Sequence, residues 1–343
     1  MLELQNILYV VTEGSVLRLE QDAVRVEADG ELRARFPLGN LAGIVAVGRV
    51  SLTSSLLGRC AADGRSVVWL DYRGRFMARV EGRTRGNVLL RRAQHLALSD
   101  TDRTWRLARQ IVAGKIQNSR QVLLRGARDA TDVAESSLLA ERADHLGQAI
   151  EHLASVEDLE TVRGVEGEAA RNYFSAFPML VRVDREAFAP DGRSRRPPRD
   201  RMNALLSFLY ALLRSECASG LEGVGLDPQV GYLHALRPGR PSLALDLMEE
   251  LRPVVADRLA LTLVNRRQLT RDQFEELPGG AVYLTDEGRR TVITAYQRRK
   301  EDQVRHRLLR RNLPLGLVPH VQARVLARHL RGDVEEYLPF VGR

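Results

Sequence analysis

The chain is short of four things, and each shortage removes a class of protein. It has two cysteines, Cys60 and Cys217, in 343 residues. Two thiols cannot form a disulfide framework, and they read as core residues of a reducing compartment, the cytoplasm. It has no long apolar run. The longest, "ALLSFLYALL" at residues 204–213, falls well short of the roughly 20 residues that a membrane helix needs, so no membrane span is expected. The opening "MLELQNILYV" has neither a basic stretch nor a small-residue cleavage site and does not read as a signal peptide. Aromatic residues make up only 5% of the chain, which argues against base stacking as a mode of nucleic-acid binding. Lysine is nearly missing: 52 basic residues less Lys115 and Lys300 leave 50 arginines.

What is present suits a sizeable globular protein. Hydrophobic residues reach 44% and charged residues 28%. The length suggests two domains, or one large domain with an attachment. The net charge is +8. A GC-rich genome accounts for much of the arginine bias. The chemical reading is that guanidinium forks match phosphate, so a polyanionic partner such as nucleic acid is favoured.

Hydrophobic periodicity divides the chain in two. Up to about residue 85 it reads as strands. "AVRVEA" and "ELRARF" alternate apolar and polar residues around Asp29–Gly30, a hairpin turn signal. "AGIVAVG" and "SVVWLD" are continuously apolar, as strands buried on both faces are. Between them "SLTSSLLGRCAADG" reads as one helix, capped by Ser or Thr and stopped by Gly64. "RGRFMARVEG" reads as a further strand. From about residue 100 apolar residues recur at helical spacing almost to the end. The expected fold is therefore α+β in two domains. A mostly antiparallel β domain at 1–85 and a linker at 86–100 precede a larger all-α catalytic domain at 101–343.

Two stretches could carry chemistry. In "RGVEGEAARNYF", Gly164 and Gly167 flank Glu166 at what reads as a helix start. An acid there meets the positive end of the helix dipole, which is its ordinary role. Flanking glycines, however, let another chain or ligand approach closely. In "LHALRPGRPSLALDLMEELRP", His234 precedes a helix in which Asp246 and Glu249 share a face. Pro253 requires a kink or a new helix start. One glutamate, one histidine and one or two helical acids make an oxygen-rich set suited to Mg²⁺ or Mn²⁺. A hard divalent ion in a basic protein points to phosphodiester chemistry. Two further stretches are basic. In residues 193–213 a loop with Arg193, Arg195, Arg196, Arg199 and Arg201 enters an apolar helix that Asp200 would cap. Those arginines are candidate phosphate contacts. Residues 289–311 hold another arginine-rich face. No Walker loop, dinucleotide fingerprint, HExxH or CxxC is present.

These stretches resemble a known family, the CRISPR-associated spacer-acquisition integrases, most closely the type I-C branch. The resemblance lies in "VEGEAARNYF", "PPRDRMNALLSFLYALL", "GLDPQVGYLH", "DLMEELRP", "GKIQNSRQVLLR" and the N-terminal "IVAVGRVSLTSSLLGRCAADGRSVVWLD". In order they span nearly the whole chain. The resemblance implies a β domain that mediates homodimerisation, a helical catalytic domain, and assembly with DNA and the small companion protein Cas-two. It implies a metal site of Glu166, His234 and Glu249, with Asp246 as a further acid near the metal. The family often has Asp where this chain has Glu249, so either Asp246 or Glu249 could be the direct ligand. The implied reaction is attack by the 3′-hydroxyl of a short DNA fragment on a phosphodiester of the CRISPR array. Two alternatives stay open: a non-catalytic DNA-binding scaffold with structural acids, and a stand-alone Mg²⁺-dependent nuclease.

Overall fold

In the computed structural model the described residues are 6–72, 76–80, 82, 88–194 and 197–342. The first part of the chain runs β1 (Asn6–Val10), β2 (Val16–Glu20), β3 (Ala23–Ala28), β4 (Glu31–Pro37), β5 (Leu41–Val47), β6 (Ser51–Leu52), α1 (Ser54–Asp63), β7 (Ser66–Leu70) and β8 (Phe76–Val80). Two four-stranded sheets form, in the orders β1-β5-β7-β8 and β4-β3-β2-β6. Asp29 and Gly30 both take positive φ, 55° and 78°, as a two-residue hairpin turn between β3 and β4 requires. Gln21 and Asp22 make the same kind of turn between β2 and β3, at φ 44° and 62°, with no glycine to announce it. Gly64 stops α1 at φ 72°.

Strand direction departs from the antiparallel expectation. The meander β2–β3–β4 and the β7–β8 pair are antiparallel. The pairs β1–β5, β5–β7 and β2–β6 are parallel. The reason is burial. Ile44, Ala46 and Val67 face a small core with Leu17, Val24, Leu56 and Cys60. Val45, Val47, Val68 and Leu70 face the opposite way, into the main helical core. Strands covered on both faces, joined through a helix, pair in parallel. Of the strand read at residues 73–82, β8 is the described part; 73–75 and 81 lie outside the described residues.

The second part runs α2 (Val88–Ser99), α3 (Thr101–Asp129), α4 (Val133–Leu153), α5 (Leu159–Ala176), α6 (Arg185–Phe188), α7 (Arg201–Val224), α8 (Ser242–Glu249), α9 (Arg258–Asn265), β9 (Phe274–Leu277), β10 (Ala281–Leu284), α10 (Asp286–Glu301), β11 (Gln303–His306), β12 (Arg311–Pro314) and α11 (Val318–Arg331). It is not all-α: β9–β10 and β11–β12 are antiparallel hairpins set among the helices. The expected linker contains α2, whose Leu90, Gln94 and Ala97 are buried. The Gln94 amide donates to the Asp227 carbonyl at 2.8 Å and accepts from the Asp227 N–H at 3.0 Å. That pair fixes the start of the loop leading to His234.

Aspartates start the long helices. Asp100, Asp132, Asp158 and Asp200 each accept a backbone N–H in the first turn of α3, α4, α5 and α7. The apolar run of residues 204–213 becomes the centre of α7, with Leu205, Leu206, Leu209 and Leu213 fully buried. Among the described residues no helix is long and apolar enough to cross a membrane. Arg79 of β8 pairs with Glu222 of α7, and the Gln297 amide donates to the Ile7 carbonyl at 3.2 Å, tying the two parts together.

Candidate active site

Four separate segments bring their polar side chains to one place. Helix α5 supplies Glu166, the loop after α7 supplies His234, α8 supplies Asp246 and Glu249, and α3 supplies Lys115. Glu166 is not in a first helical turn. It lies in the middle of α5, whose start is capped by Asp158, so the dipole does not explain it. A side chain added at Gly164 or Gly167 would meet nothing within 4 Å. The face of the helix beside Glu166 is therefore open to an approaching molecule.

Asp246 is wholly buried and serves the histidine. Its Oδ2 accepts the backbone N–H of Tyr232 at 2.6 Å and of Leu233 at 3.1 Å. Its Oδ1 accepts the backbone N–H of His234 at 3.0 Å and contacts the His234 ring Nδ1 at 2.7 Å. A carboxylate only accepts, so Nδ1 carries the proton. Four donors leave Asp246 no free lone pair directed into the cleft. The ring's Nε2 points instead toward Glu249 Oε1, 3.7 Å away. This is the arrangement by which a carboxylate fixes the tautomer and angle of a metal-binding imidazole. Gly231 is needed for it, because a Cβ there would lie 2.6 Å from Ser242 Cβ and 3.0 Å from Asp246 Oδ2.

Glu249 is 3% exposed and surrounded by cations. Arg252 Nη2 is 3.0 Å from its Oε1, and Lys115 Nζ is 2.7 Å from its Oε2. The same ammonium pairs with Glu166. Burial pushes the Glu249 carboxyl up, but Arg252, Lys115 and His234 outweigh it and hold the group well below the usual carboxylate range. Pro253 produces the expected kink: residues 252–257 form a π-helical turn between α8 and α9. That turn swings Arg252 back over Glu249 and the Tyr210 ring, 4.9 Å from its centroid. Behind it, Tyr210 and Tyr173 donate to the buried Asp257 at 2.6 Å and 3.0 Å. Burial pushes Asp257 up to about 6.

The next residue after Glu249 anchors the site to the end of the chain. Glu250 is fully buried and accepts from Gln322 Nε2 at 2.9 Å, the Tyr337 hydroxyl at 2.9 Å and the Phe340 N–H at 3.1 Å. Asn118 of α3 donates to the carbonyls of Glu250 and Phe340 at 2.7 Å and 2.8 Å. A network this well satisfied fixes the end of α8, and with it Glu249.

The donor set was tested against a divalent ion. Among the described residues no three His, Cys, Asp or Glu are already drawn together to hold a metal. The chemistry of the set nevertheless fits one. Two carboxylates and an imidazole nitrogen converge, a cation stands between the carboxylates, and Glu249 Oε2 has no hydrogen-bond partner of good geometry. The position asks for positive charge, and Lys115 supplies it.

The basic loop ahead of α7 divides. Arg193 turns onto its own helix, donating to Ser194 O and Asn203 Oδ1, both at 2.6 Å, with its guanidinium 5.3 Å from the Tyr210 ring centroid. Arg199 is exposed. Arg195 and Arg196 lie outside the described residues. Sequence reasoning passed over Lys115 and Arg252. For Lys115 a signal existed: a chain with 50 arginines keeps two lysines, and both face buried acids. Lys300 lies 2.6 Å from Glu216. A compact ammonium fits between two carboxylates where a planar guanidinium does not.

Fold and site together define a class: an α+β protein whose helical part holds a buried, acid-rich cleft beside a histidine fixed by a second acid. Residues 8–298 match the family described as CRISPR associated protein Cas1. The chain is 56% identical to CRISPR-associated endonuclease Cas1 1 of Moorella thermoacetica over 340 residues, 99% of each chain. This chain belongs to the Cas1 family. Two solved structures share its fold. A casposase bound to integration product superposes with a TM-score of 0.83 at 21% identity, covering 97% of this chain and 93% of that one. A chain of a Cas6-RT-Cas1–Cas2 complex superposes with a TM-score of 0.82 at 22% identity, covering 98% of this chain and 36% of the larger one.

Proposed function

We propose that this chain is a metal-dependent DNA endonuclease and integrase that inserts short foreign DNA fragments into a CRISPR array. The 3′-hydroxyl of the fragment attacks a phosphodiester of the array, forming one P–O bond while the bond to the leaving 3′-oxygen breaks. The observation that carries the reading is the convergence of Glu166, Glu249 and His234 Nε2 on one cation-demanding position. The endonuclease name of the Moorella relative supports it. DNA, a second copy of this chain and a Cas2-type companion are the proposed partners.

Glu166, His234 and Glu249 would hold Mg²⁺ or Mn²⁺. Such an ion, when bound, neutralises charge on the phosphate oxygens and activates the hydroxyl nucleophile. The chain's own residues do the rest. Asp246 holds the His234 ring so that Nε2 faces Glu249. Arg252 holds Glu249 against the π turn. Lys115 keeps two like-charged carboxylates close in a place that excludes most water. The open helix face beside Gly164 and Gly167 admits the DNA.

One observation favours a second reading, the scaffold. Lys115 and Arg252 already compensate the acids, as they would in a purely structural network. Strand transfer on a branched, half-integrated DNA separates the two. The expected result is activity with Mn²⁺, none with chelator, and none for His234→Ala, while DNA binding persists throughout. Activity in chelator, or equal activity of His234→Ala and wild type, sinks the integrase reading.

A further inference from the structure

A groove of about 1230 Å³ opens between α9 and α10, with α3 at its side. Its two main walls carry the same pattern. Arg258, Thr262 and Arg266 follow one another at intervals of four residues along α9 and its end. Arg290, Thr294 and Arg298 do so along α10. Residues four apart on a helix share a face, so each wall is an Arg–Thr–Arg ladder. Each ladder spans eight residues, roughly 12 Å of helix rise, which matches the axial rise of three or four nucleotides at about 3.4 Å each.

The charge of the groove is one-sided. Arg125, Arg182 and Arg299 also line it, giving seven arginines against Asp129 and Asp302, a surplus of five positive charges (7 − 2). The two acids are engaged by Arg125 at 3.7 Å and Arg299 at 2.6 Å. Among the described residues Arg266, Arg290 and Arg298 are exposed and make no ion pair. Burial, then Arg299 and Arg125, push the Arg258 guanidinium down to about 10; the arginines already repel one another. Threonine hydroxyls, Asn265 and Gln268 add neutral hydrogen-bonding groups, and no aromatic ring lines the walls.

We propose that this groove is a second DNA-binding surface, which grips a sugar–phosphate backbone between the two arginine ladders without reading its bases. An open trench of arginine and hydroxyl groups with no stacking platform suits phosphate contact alone. Arg125 lies ten residues along α3 from Lys115, roughly 15 Å of helix. The groove is thus separate from the reacting position and suits the DNA flanking it. The inference rests on the integrase reading for the identity of the nucleic acid as DNA.

The test is equilibrium binding of two fluorescent DNA duplexes of unrelated sequence to the full chain, in chelator, across a salt series. The variant replaces Arg266, Arg290 and Arg298 by serine. All three are exposed, so the fold is kept. A control variant replaces Arg18, Arg33 and Arg35 of the β part by serine and loses the same charge. Each phosphate contact contributes about 0.9 to the slope of log affinity against log salt. The groove variant is expected to lose about 2.7 from that slope, equally for both sequences, and the control much less. Equal slopes for groove and control variants overturn the proposal. So does a groove variant that keeps its DNA slope and loses a protein partner, which would make the groove a seat for an acidic protein surface. Loss of strand transfer in His234→Ala with unaltered groove slopes leaves the integrase reading standing and the groove fallen. The groove slope change with metal-independent His234→Ala behaviour does the reverse.

Discussion

Lys115 Nζ lies 2.7 Å from Glu249 Oε2, and its other contact is Glu166. One ammonium from α3 thereby holds together acids from α5 and α8. Glu249 is almost wholly buried, and without Lys115 its only close cation would be Arg252. Removing one partner of a buried pair costs about 3–5 kcal/mol; with Arg252 retained and Glu166 partly exposed, Lys115→Gln is expected to cost about 2–3 kcal/mol in chelator. Added Mn²⁺ should restore more stability to the variant than to wild type. Urea unfolding with and without the ion measures both, and a variant as stable as wild type in chelator would remove the ammonium from the account.

Asp246→Asn tests the histidine's holder. The carboxylate takes three backbone N–H groups and the ring. An amide cannot accept on its nitrogen, so at least one donor is left facing another. Second-partner changes of this kind typically lower metal affinity or activity about 10–100-fold. Strand transfer is expected to fall within that range while duplex binding holds. An unchanged rate would show that the ring needs no fixing.

Asp257 predicts a pH dependence. Its folded pKa is raised to about 6 by burial, above an unfolded value near 3.9. The folded state therefore holds the proton more tightly, and the stabilisation, complete below about pH 4, is lost as pH rises through 6. Between pH 5 and pH 8 this loss amounts to about 1–2 kcal/mol. Asp257→Asn has no such proton to lose. Its stability relative to wild type should improve by that amount from pH 5 to pH 8, read by denaturant unfolding at each pH. A constant difference would mean that Tyr173 and Tyr210 stabilise the carboxylate more than burial penalises it.

Tyr337→Phe removes one hydroxyl from the clasp on Glu250. The hydroxyl donates to Glu250 at 2.9 Å and accepts from Gln322 at 3.0 Å, both buried. Loss of a buried hydrogen-bond partner costs about 1–3 kcal/mol. The expected result is a drop of that size in unfolding free energy. A change below experimental error would show that the chain end packs without steering α8.

Much of this molecule is legible along the chain because its causes are local. Asp200 caps α7 and Gly64 ends α1 through contacts within four residues. Asp29–Gly30 turns a hairpin through its own backbone angles. The alternation of "AVRVEA" and the helical period after residue 100 follow from which side chains must leave water. Glu166, His234, Asp246 and Glu249 could be chosen by chemistry and by their resemblance to a known family. The tertiary structure decided what depends on distant segments meeting. The helix between "AGIVAVG" and "SVVWLD" was itself a sign of parallel pairing, but two-sided burial by separate cores is what fixes it. Asp246 and Glu249 look equivalent on one helical face. Only the loop of residues 231–234 folding back saturates one with backbone N–H groups and leaves the other to the cleft. Lys115 and the second arginine ladder are unremarkable residues in their own stretches. Their roles arise where α3, α8, α9 and α10 pack together, because an ion pair or a groove belongs to the space between elements and to no single one of them.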